Sequence, residues 1–524
     1  MDASPDLATI VAAHPTELAL PGVLSVRSGY QVSNGWLTGR RAIVVTVAHK
    51  TASPPGGTLL PTSLDGVPVD VRQASPRKRQ ELTQPQAEPV ALDPADGALP
   101  AFDDERTPAG TPIVAPARIA GGGAAAAAKP TLPYTAPPGV ALREVSGHAV
   151  VHACASPDAG WPALKEFLAA VTESLTIGLY DFTSAHILDW ISTQLPGKKV
   201  RLVLDHPARN PTADQTDEQT VTALKSALGL DLAQAWALDG MDPLAAARIF
   251  PTAYHIKVAV RDHTSIWLSS GNWNNSNQPD IDPVTTAGDA DAARNGDRDW
   301  HVIIDQPQLA ALFEAYLTND FSQASAHNQA AGNAIRVQSE MLTTAAKTPP
   351  FAQFYPPLTV TGSMRIIPLL TPDRGSYAPH VKTLITNAKS SLYMQFQYIE
   401  LPKTPGPTSA GFSDLVAAVA ARQNAGVDVK IIMSEYEKAG YLEQLQAAGI
   451  DVVNNVKIQN NVHNKGIVVD NATVLVSSQN WSTDGTLYNR DAGVIIHNAK
   501  IASYFQTIFM HDWANLAHQK AASD

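Results

Sequence analysis

Cysteine is almost absent: the 524 residues include one, Cys154. A single thiol excludes an internal disulfide and any CxxC metal or redox motif, and within the apolar segment HAVVHACA it reads as a small core residue. Long apolar runs are missing too. No window approaches the roughly 20 apolar residues that a membrane-spanning helix needs. The N-terminal MDASPDLATIVAAHPTELALPG lacks a basic stretch followed by an unbroken apolar one, so it does not read as a secretory signal. The cytoplasm is the default location, with signal-independent export left open. Positive charge is short as well: Lys and Arg total 38 against 49 Asp and Glu, a net charge of −11. Chains that hold long nucleic acid usually offer basic surface to the phosphates, so this balance argues against a tight non-specific nucleic-acid binder, though a local basic cleft fits within an acidic total.

What is present is an ordinary globular composition, 44% hydrophobic and 17% charged. The length predicts two to four domains. The 39 prolines and 33 glycines cluster in particular stretches. Residues 1–75 hold a β-rich patch, GVLSVRSGYQVSNGWLTGRRAIVVTVAHK, broken by Gly and Asn turn signals, and read as a small accessory module. Residues 76–139 are polar and rich in Pro, Ala and Gly, the composition of a linker. Neither stretch carries assignable chemistry; RKRQ at Arg77–Gln80 is too short for a nucleic-acid patch.

Past residue 140 the chain repeats itself. A strand-like run ends in Ser156-Pro157-Asp158 in one copy and in Thr371-Pro372-Asp373 in the other. Each is followed by an apolar stripe at i, i+3, i+4, i+7: Leu164, Phe167, Leu168 and Val171, then Val381, Leu384, Ile385 and Ala388. Pro162 and Pro379 lie near the helix starts, where a missing N–H costs nothing. Matching strands follow, SLTIGLYDF with SLYMQFQYI and VRLVLD with VKIIMS. The pattern predicts two homologous α/β/α domains, 140–345 and 355–524, with mixed, mainly parallel sheets, packed as a pseudo-twofold dimer.

One cluster stands out in each copy. TAYHIKVAVRDHTSIWLSSGNWNNSN supplies His255, Lys257 and Asp262 as H-x-K-x4-D, then Ser269, Ser270 and Asn272. NNVHNKGIVVDNATVLVSSQNWSTDG supplies His463, Lys465 and Asp470 at the same spacing, then Ser477, Ser478 and Asn480. Trp273 and Trp481 follow the asparagines, and Arg298-Asp299 and Arg490-Asp491 come later. Residues two apart on a strand share a face, so each His and Lys can reach one substrate group. The returning strand brings the asparagine to the same end. Imidazole, ammonium and carboxamide together suit a phosphoryl group.

The duplicated H-x-K-x4-D-x6-(G/S)-S-x-N pattern closely resembles the phospholipase D superfamily over residues 140–524, with Ser269 and Ser477 standing where the family often has Gly. The resemblance implies a two-histidine phosphodiesterase. His255 would attack phosphorus and His463 serve as acid and base, the reverse order being the alternative. Lys257, Lys465, Asn272 and Asn480 would hold the non-bridging oxygens. Asp299 and Asp491 are similar to the family's late acidic residue, which orients each histidine. His463 to Asp491 is a compact interval, whereas His255 to Asp299 contains an insertion expected to form a loop at the mouth of the site.

Asp262 and Asp470, with Ser270 and Ser478, read as structural parts of the motif. Trp273 and Trp481 are either pocket walls or core. Arg298 and Arg490 are expected to pair with carboxylates. His152, His186, His206, His263, His301 and His497 receive no role. The chemistry needs no metal or other cofactor, and the loop aspartates Asp280, Asp282, Asp289 and Asp291 lack EF-hand spacing and read as solvated. Phospholipid is the favoured substrate, with transfer to an alcohol as an accompanying reaction and transient membrane-surface contact. Nucleic acid and a non-catalytic phosphate-binding module are the alternatives. With both motifs on one chain, a monomer suffices for a complete site.

Overall fold

The computed structural model describes residues 7–18, 20–33, 36–47, 59–73, 134–205, 214–239, 247–250, 252–328, 351, 353–373, 376–402, 406–434 and 441–518. Most of the expected linker, RKRQ, His206 and most of the connector between the repeats lie outside these residues.

The N-terminal module has two short helices, Leu7–Ala13 and Pro15–Leu18, and strands β1 (Val23–Ser33), β2 (Trp36–Val47), β3 (Ser63–Leu64) and β4 (Val67–Gln73) in the order β1-β2-β4-β3. Strands β1 and β2 form an antiparallel pair that closes at Ser33↔Trp36. Alternate residues Ile43, Val45 and Val47 of β2 bury one face with Val67, Val69, Leu7, Ile10 and Leu18. Arg27 ties the module to the second repeat through Glu443 (3.0 Å).

Both repeats contribute to one 14-stranded sheet. The first supplies β5 (Val145–Ser156), β6 (Ser174–Leu179), β7 (Lys199–Leu204), β8 (Leu232–Trp236), β11 (Lys257–Arg261), β12 (Ser265–Ser269) and β13 (Asp299–Asp305); β9 (Leu238–Asp239) and β10 (Ala247–Arg248) form a separate two-stranded ladder. The second supplies β14 (Leu358–Leu370), β15 (Ser391–Phe396), β16 (Asp428–Ser434), β17 (Val456–Gln459), β18 (Lys465–Val469), β19 (Thr473–Ser477) and β20 (Ala492–His497). The order β17-β16-β15-β18-β19-β20-β14-β5-β13-β12-β11-β6-β7-β8 mirrors itself about the β14–β5 seam, which pairs antiparallel from Leu358↔Ala153 to Ile366↔Val145.

This corrects the expected sheet in two respects. The repeats share one continuous sheet, and its parallel pairings occur only at the ends, in β6-β7-β8 and β15-β16-β17; the strands between pair antiparallel. The turn between β11 and β12 spans only Asp262–Thr264, too short for the crossover that a parallel neighbour requires.

Strand alternation sorts the cores. Val302 and Ile304 of β13, with Val494 and Ile496 of β20, face one side and join a single core spanning both repeats, covered by helices Pro307–Asn328 and Ala499–Asn515 through Phe313, Leu317, Phe505 and Phe509. Ile303 and Ile495 face the other side, where each repeat has its own core. The first is covered by helix Gly160–Ala169, burying Leu164, Phe167 and Leu168, and the second by helix Ala378–Thr386, burying Val381, Leu384 and Ile385. Each such buried side chain contributes roughly 1.5–3 kcal/mol relative to exposure, so the shared core holds the halves in fixed register. Val171 and Ala388 are buried just past the helix ends. Cys154 is fully buried.

Candidate active site

The motif residues gather where strands of the middle sheet begin and end. Lys257 and Lys465 open β11 and β18, Asp299 opens β13, Asp491 precedes β20, and Ser269 and Ser477 close β12 and β19. Segments from the two repeats are then clipped across the seam. The His255 amide donates to Arg490 O (2.8 Å) and the Arg490 amide to Ala253 O (2.8 Å); symmetrically, the His463 amide donates to Arg298 O (3.1 Å) and the Arg298 amide to Asn461 O (2.7 Å).

Side chains follow the same exchange. His255 Nδ1 lies 2.7 Å from Asp491 Oδ1, and His463 Nδ1 lies 2.9 Å from Asp299 Oδ1. Each histidine thus meets the other repeat's carboxylate, which sequence intervals counted within one copy do not reveal. Ser478 and Ser270 donate to those same oxygens, at 2.5 and 2.6 Å, and so hold the carboxylates in place. On the far side of each ring sits a lysine: Lys257 Nζ is 2.8 Å from His255 Nε2, and Lys465 Nζ is 3.0 Å from His463 Nε2. An ammonium can only donate, so each Nε2 accepts and the ring proton stands on Nδ1, facing its carboxylate. Both imidazoles are therefore arranged with the Nε2 lone pair directed towards the cationic side. Burial alone would push the Asp299 carboxyl up, but His463 and Lys465 hold it below the ordinary carboxylate range.

Beneath the histidines lie two buried ion clusters. Arg298 donates to Ser156 O (2.9 Å) and Asp158 (2.7 Å) of its own repeat and to Asp512 of the other (2.8 and 3.1 Å). Arg490 donates to Thr371 O (3.1 Å) and Asp373 (2.6 Å) of its own repeat and to Asp320 of the other (2.9 and 2.6 Å), with the Tyr134 hydroxyl accepting a further bond at 2.6 Å. These arginines do pair with carboxylates, and in doing so bolt the two repeats together directly behind the site.

The remaining motif residues divide between site and scaffold. Asp262 takes the backbone amides of Thr172, Glu173 and Ser174, and Asp470 takes those of Lys389, Ser390 and Ser391, all at 2.7–3.1 Å. Both aspartates have φ near +50°, and they tie the β-turn to the neighbouring strand away from the histidines. Trp273 packs on Phe182 and Trp267, and Trp481 on Phe396 with its Nε1 donating to Tyr377 Oη (3.0 Å); both are core residues. Asn272 and Asn480 are buried beside the serines, and the Asn272 amide is fixed by Asn277 Oδ1 (2.9 Å).

Residues 381–513 match the family model described as "Cardiolipin synthase, PLD-like domain". That match places a phospholipase D-like domain in the second repeat. Members of the superfamily are phosphodiesterases and transferases. No curated protein matches the sequence. Among solved structures, the chain is similar to phosphatidylserine synthase from Haemophilus influenzae Rd KW20, at 12% identity over 70% of this chain and 86% of that one, with TM-score 0.47. It is also similar to Nuc, a phospholipase D family member from Salmonella typhimurium (28% identity, 29% and 95% covered, TM-score 0.25), and to polyphosphate kinase from Porphyromonas gingivalis (11% identity, 71% and 49% covered, TM-score 0.42).

Several residues of this phospholipase D-like site carry no motif signal. The Tyr180 ring meets His255 edge-on (centroids 4.9 Å), with Lys257 Nζ 5.1 Å from its centroid. His301 is fully buried between Ser156 Oγ (2.8 Å) and Ser269 Oγ (2.6 Å), and burial pushes it down to about 4. The insertion before Asp299 folds over this region: Asp280 accepts from Trp161 Nε1 (2.9 Å), Asp289 from the Asp282 amide (2.8 Å), Asp282 from Thr285 and Asp291 from Arg294. Asp282 and Asp289 are engaged within the loop, Asp280 ties it to helix Gly160–Ala169, and Asp291 is exposed. No helix among the described residues is long and apolar enough to cross a membrane.

Proposed function

We propose that this chain hydrolyses phospholipids by phospholipase D chemistry, passing through a covalent phosphohistidine, with transfer to an alcohol as an accompanying reaction. The observation that carries the proposal is the crossed pair of Asp–His–Lys arrays, each with a carboxylate on Nδ1 and an ammonium at Nε2. Such an array keeps an imidazole neutral at Nε2 and able to bond phosphorus, while the carboxylate supports the positive ring formed afterwards. The "Cardiolipin synthase" description of the matching family model supports a lipid substrate.

In the first step His255 Nε2 bonds to phosphorus as the P–O bond to the head-group alcohol breaks, and His463, entering this step as the imidazolium, gives its Nε2 proton to that alcohol. In the second step His463 takes a proton from water or an acceptor alcohol, whose oxygen bonds to phosphorus as the P–N bond breaks. Lys257, Lys465, Asn272 and Asn480 hold the non-bridging oxygens, where charge grows in both transition states. Two ammonium groups meeting one phosphoryl group offset the charge that a neutral pocket would leave exposed.

The test offers the purified chain phosphatidylcholine, bis(p-nitrophenyl) phosphate and single-stranded DNA, with EDTA present throughout. Choline release is the expected result. Cutting of DNA alone would move the substrate to polynucleotide, and turnover of none would favour a binding module.

A further inference from the structure

The strand pairs behind the two motif turns carry different residues at matching places. In the first repeat Ser269 of β12 pairs with His301 of β13, and the turn that follows reads Ser270-Gly271-Asn272. In the second, Ser477 of β19 pairs with Gly493 of β20, and the turn reads Ser478-Gln479-Asn480. The side chain beside the turn thus comes from the neighbouring strand in one copy and from the turn itself in the other. A Cβ on Gly493 would come within 3.2 Å of Gln479 Oε1, so the Gln479 side chain lies where a side chain at 493 would start. We propose that His301 is a positioning residue: through Ser269 it anchors the Gly271 amide and so sets the place of Asn272 in the site. The inference rests on the two-histidine chemistry proposed above, in which Asn272 holds a non-bridging oxygen.

Packing requires glycine at 271. A Cβ there would come within 2.6 Å of Asp299 Oδ2 and 2.9 Å of Asn277 Cβ, because the turn runs against the carboxylate that faces His463. Glycine also leaves the backbone freer than any other residue, so a precise turn at this place needs an outside hold. Upstream, Ser270 is held by the neighbouring strand. Its amide donates to Trp300 O (3.1 Å), and its hydroxyl donates to Asp299 Oδ1 (2.6 Å) and accepts from the Trp300 amide (3.0 Å). From the glycine onward, the Gly271 amide donates to Ser269 Oγ (2.8 Å) and the Asn272 amide to Asn277 Oδ1 (2.9 Å). The first of these bonds depends on which way the Ser269 hydroxyl turns. Ser269 Oγ lies 2.6 Å from His301 Nδ1, whereas in the second repeat Ser477 donates to the Lys465 carbonyl (2.8 Å).

The imidazole is itself held on every side. It is fully buried, stacks on Trp267 (centroids 6.2 Å, planes 16° apart) and lies behind Gly160, where a Cβ would come within 3.0 Å of Nε2. Its opposite nitrogen, Nε2, is 2.8 Å from Ser156 Oγ. A neutral imidazole has one nitrogen to donate and one to accept. With the proton on Nε2, facing Ser156, Nδ1 accepts the Ser269 proton and leaves the Ser269 oxygen aimed at the Gly271 amide. A rigid ring thereby fixes a hydroxyl, the hydroxyl fixes the amide of a flexible residue, and the next residue along the chain is Asn272.

The two ring nitrogens can be tested apart in the full-length protein with phosphatidylcholine and bis(p-nitrophenyl) phosphate. His301→Asn keeps an acceptor close to the place of Nδ1, His301→Gln keeps a polar group towards Ser156, and His301→Phe keeps bulk alone. His301→Phe and His301→Gln are expected to lower kcat roughly 10- to 100-fold with KM within about twofold, because Asn272 acts where charge grows in the transition state. His301→Asn is expected to recover most of that loss, although it leaves a larger void and a lower melting temperature than His301→Gln. A role in packing alone reverses the order, His301→Gln keeping more activity than His301→Asn, and that result overturns the assignment. In an Asn272→Ala background, His301→Phe is expected to cost less than about twofold more. Additive losses, or a loss confined to KM, overturn it as well. Ser269→Ala, a smaller change, is expected to match His301→Phe; wild-type kcat in Ser269→Ala overturns the inference even if the His301 variants fail to fold. Should the wild type turn over neither ester, the functional proposal fails by itself, and hydrogen exchange in the full chain still tests the relay. The Gly271 amide is expected to exchange roughly tenfold faster in His301→Phe while the Ser270 amide keeps its protection, and unchanged protection of Gly271 overturns the inference.

Discussion

The crossed pairs predict that the two site aspartates fail in different kinetic steps. Asp491→Asn preserves shape and an acceptor for Ser478, but removes the charge 2.7 Å from His255 Nδ1; Asp299→Asn does the same 2.9 Å from His463. A hydrogen bond to a charged group contributes about 1.5–3 kcal/mol, and each 1.4 kcal/mol of barrier is a factor of ten, so the affected step should slow roughly 10- to 150-fold. Rapid mixing with bis(p-nitrophenyl) phosphate separates the steps. Departure of p-nitrophenolate needs no acid, whereas water must still be activated to release the phosphoenzyme. Asp491→Asn should slow the burst of p-nitrophenol by that factor, since it acts on His255. Asp299→Asn should keep a burst approaching one equivalent per chain and slow the turnover that follows. The opposite pattern would exchange the two histidines. Bursts and turnover within twofold of wild type in both variants would refute the reasoning from crossed pairing altogether.

Other outcomes follow from buried groups around the site. His301, pushed down to about 4, stays neutral in the fold while the unfolded chain binds its proton near 6.5. The unfolded state therefore holds more protons in that window, and stability should fall by on the order of 3 kcal/mol as pH drops from 6.5 to 4, a loss that denaturant titration should show reduced in His301→Gln. Arg490→Met strands Asp320 and Asp373 without their cation and should cost about 3–5 kcal/mol, seen as a lower denaturation midpoint; an unchanged midpoint would contradict the role given to that cluster. Cys154 is fully buried, and its thiol is pushed up to about 12, so a thiol reagent should label it only on unfolding.

The two sets of strands and helices, and the gathering of the motif side chains at one place, were legible because each rests on local spacing. His and Lys two apart on a strand, a short turn and a returning strand leave few ways to arrange the side chains. The apolar stripes at Leu164–Leu168 and Val381–Ile385 likewise announced the faces that became buried. Sheet order was less legible. Strand–helix alternation predicts parallel neighbours, and that rule holds for β6-β7-β8 and β15-β16-β17, where helices intervene. It fails at β11–β12 and β18–β19, where a short turn sends the chain back antiparallel.

The exchange of Asp299 and Asp491 between repeats was not legible, because an interval along the chain says nothing about which copy a carboxylate faces. That information belongs to the pseudo-twofold seam, formed by residues far apart in sequence. The arginine clusters left no trace: Asp320 and Asp512 are fully buried, yet they sit in LTNDFSQ and MHDWAN, whose polar neighbours give no sign that a helix buries an acid there.

The most direct measurement is the covalent state of the full-length chain during turnover. Alkaline quenching preserves a phosphorus–nitrogen bond, and peptide mapping by mass spectrometry locates it. One phosphoramidate adduct that keeps a single ester, on the peptide carrying His255, accumulating in His463→Ala and absent in His255→Ala, is the result predicted here. Turnover with no adduct on either histidine, or an adduct on a side chain outside the two arrays, would contradict it.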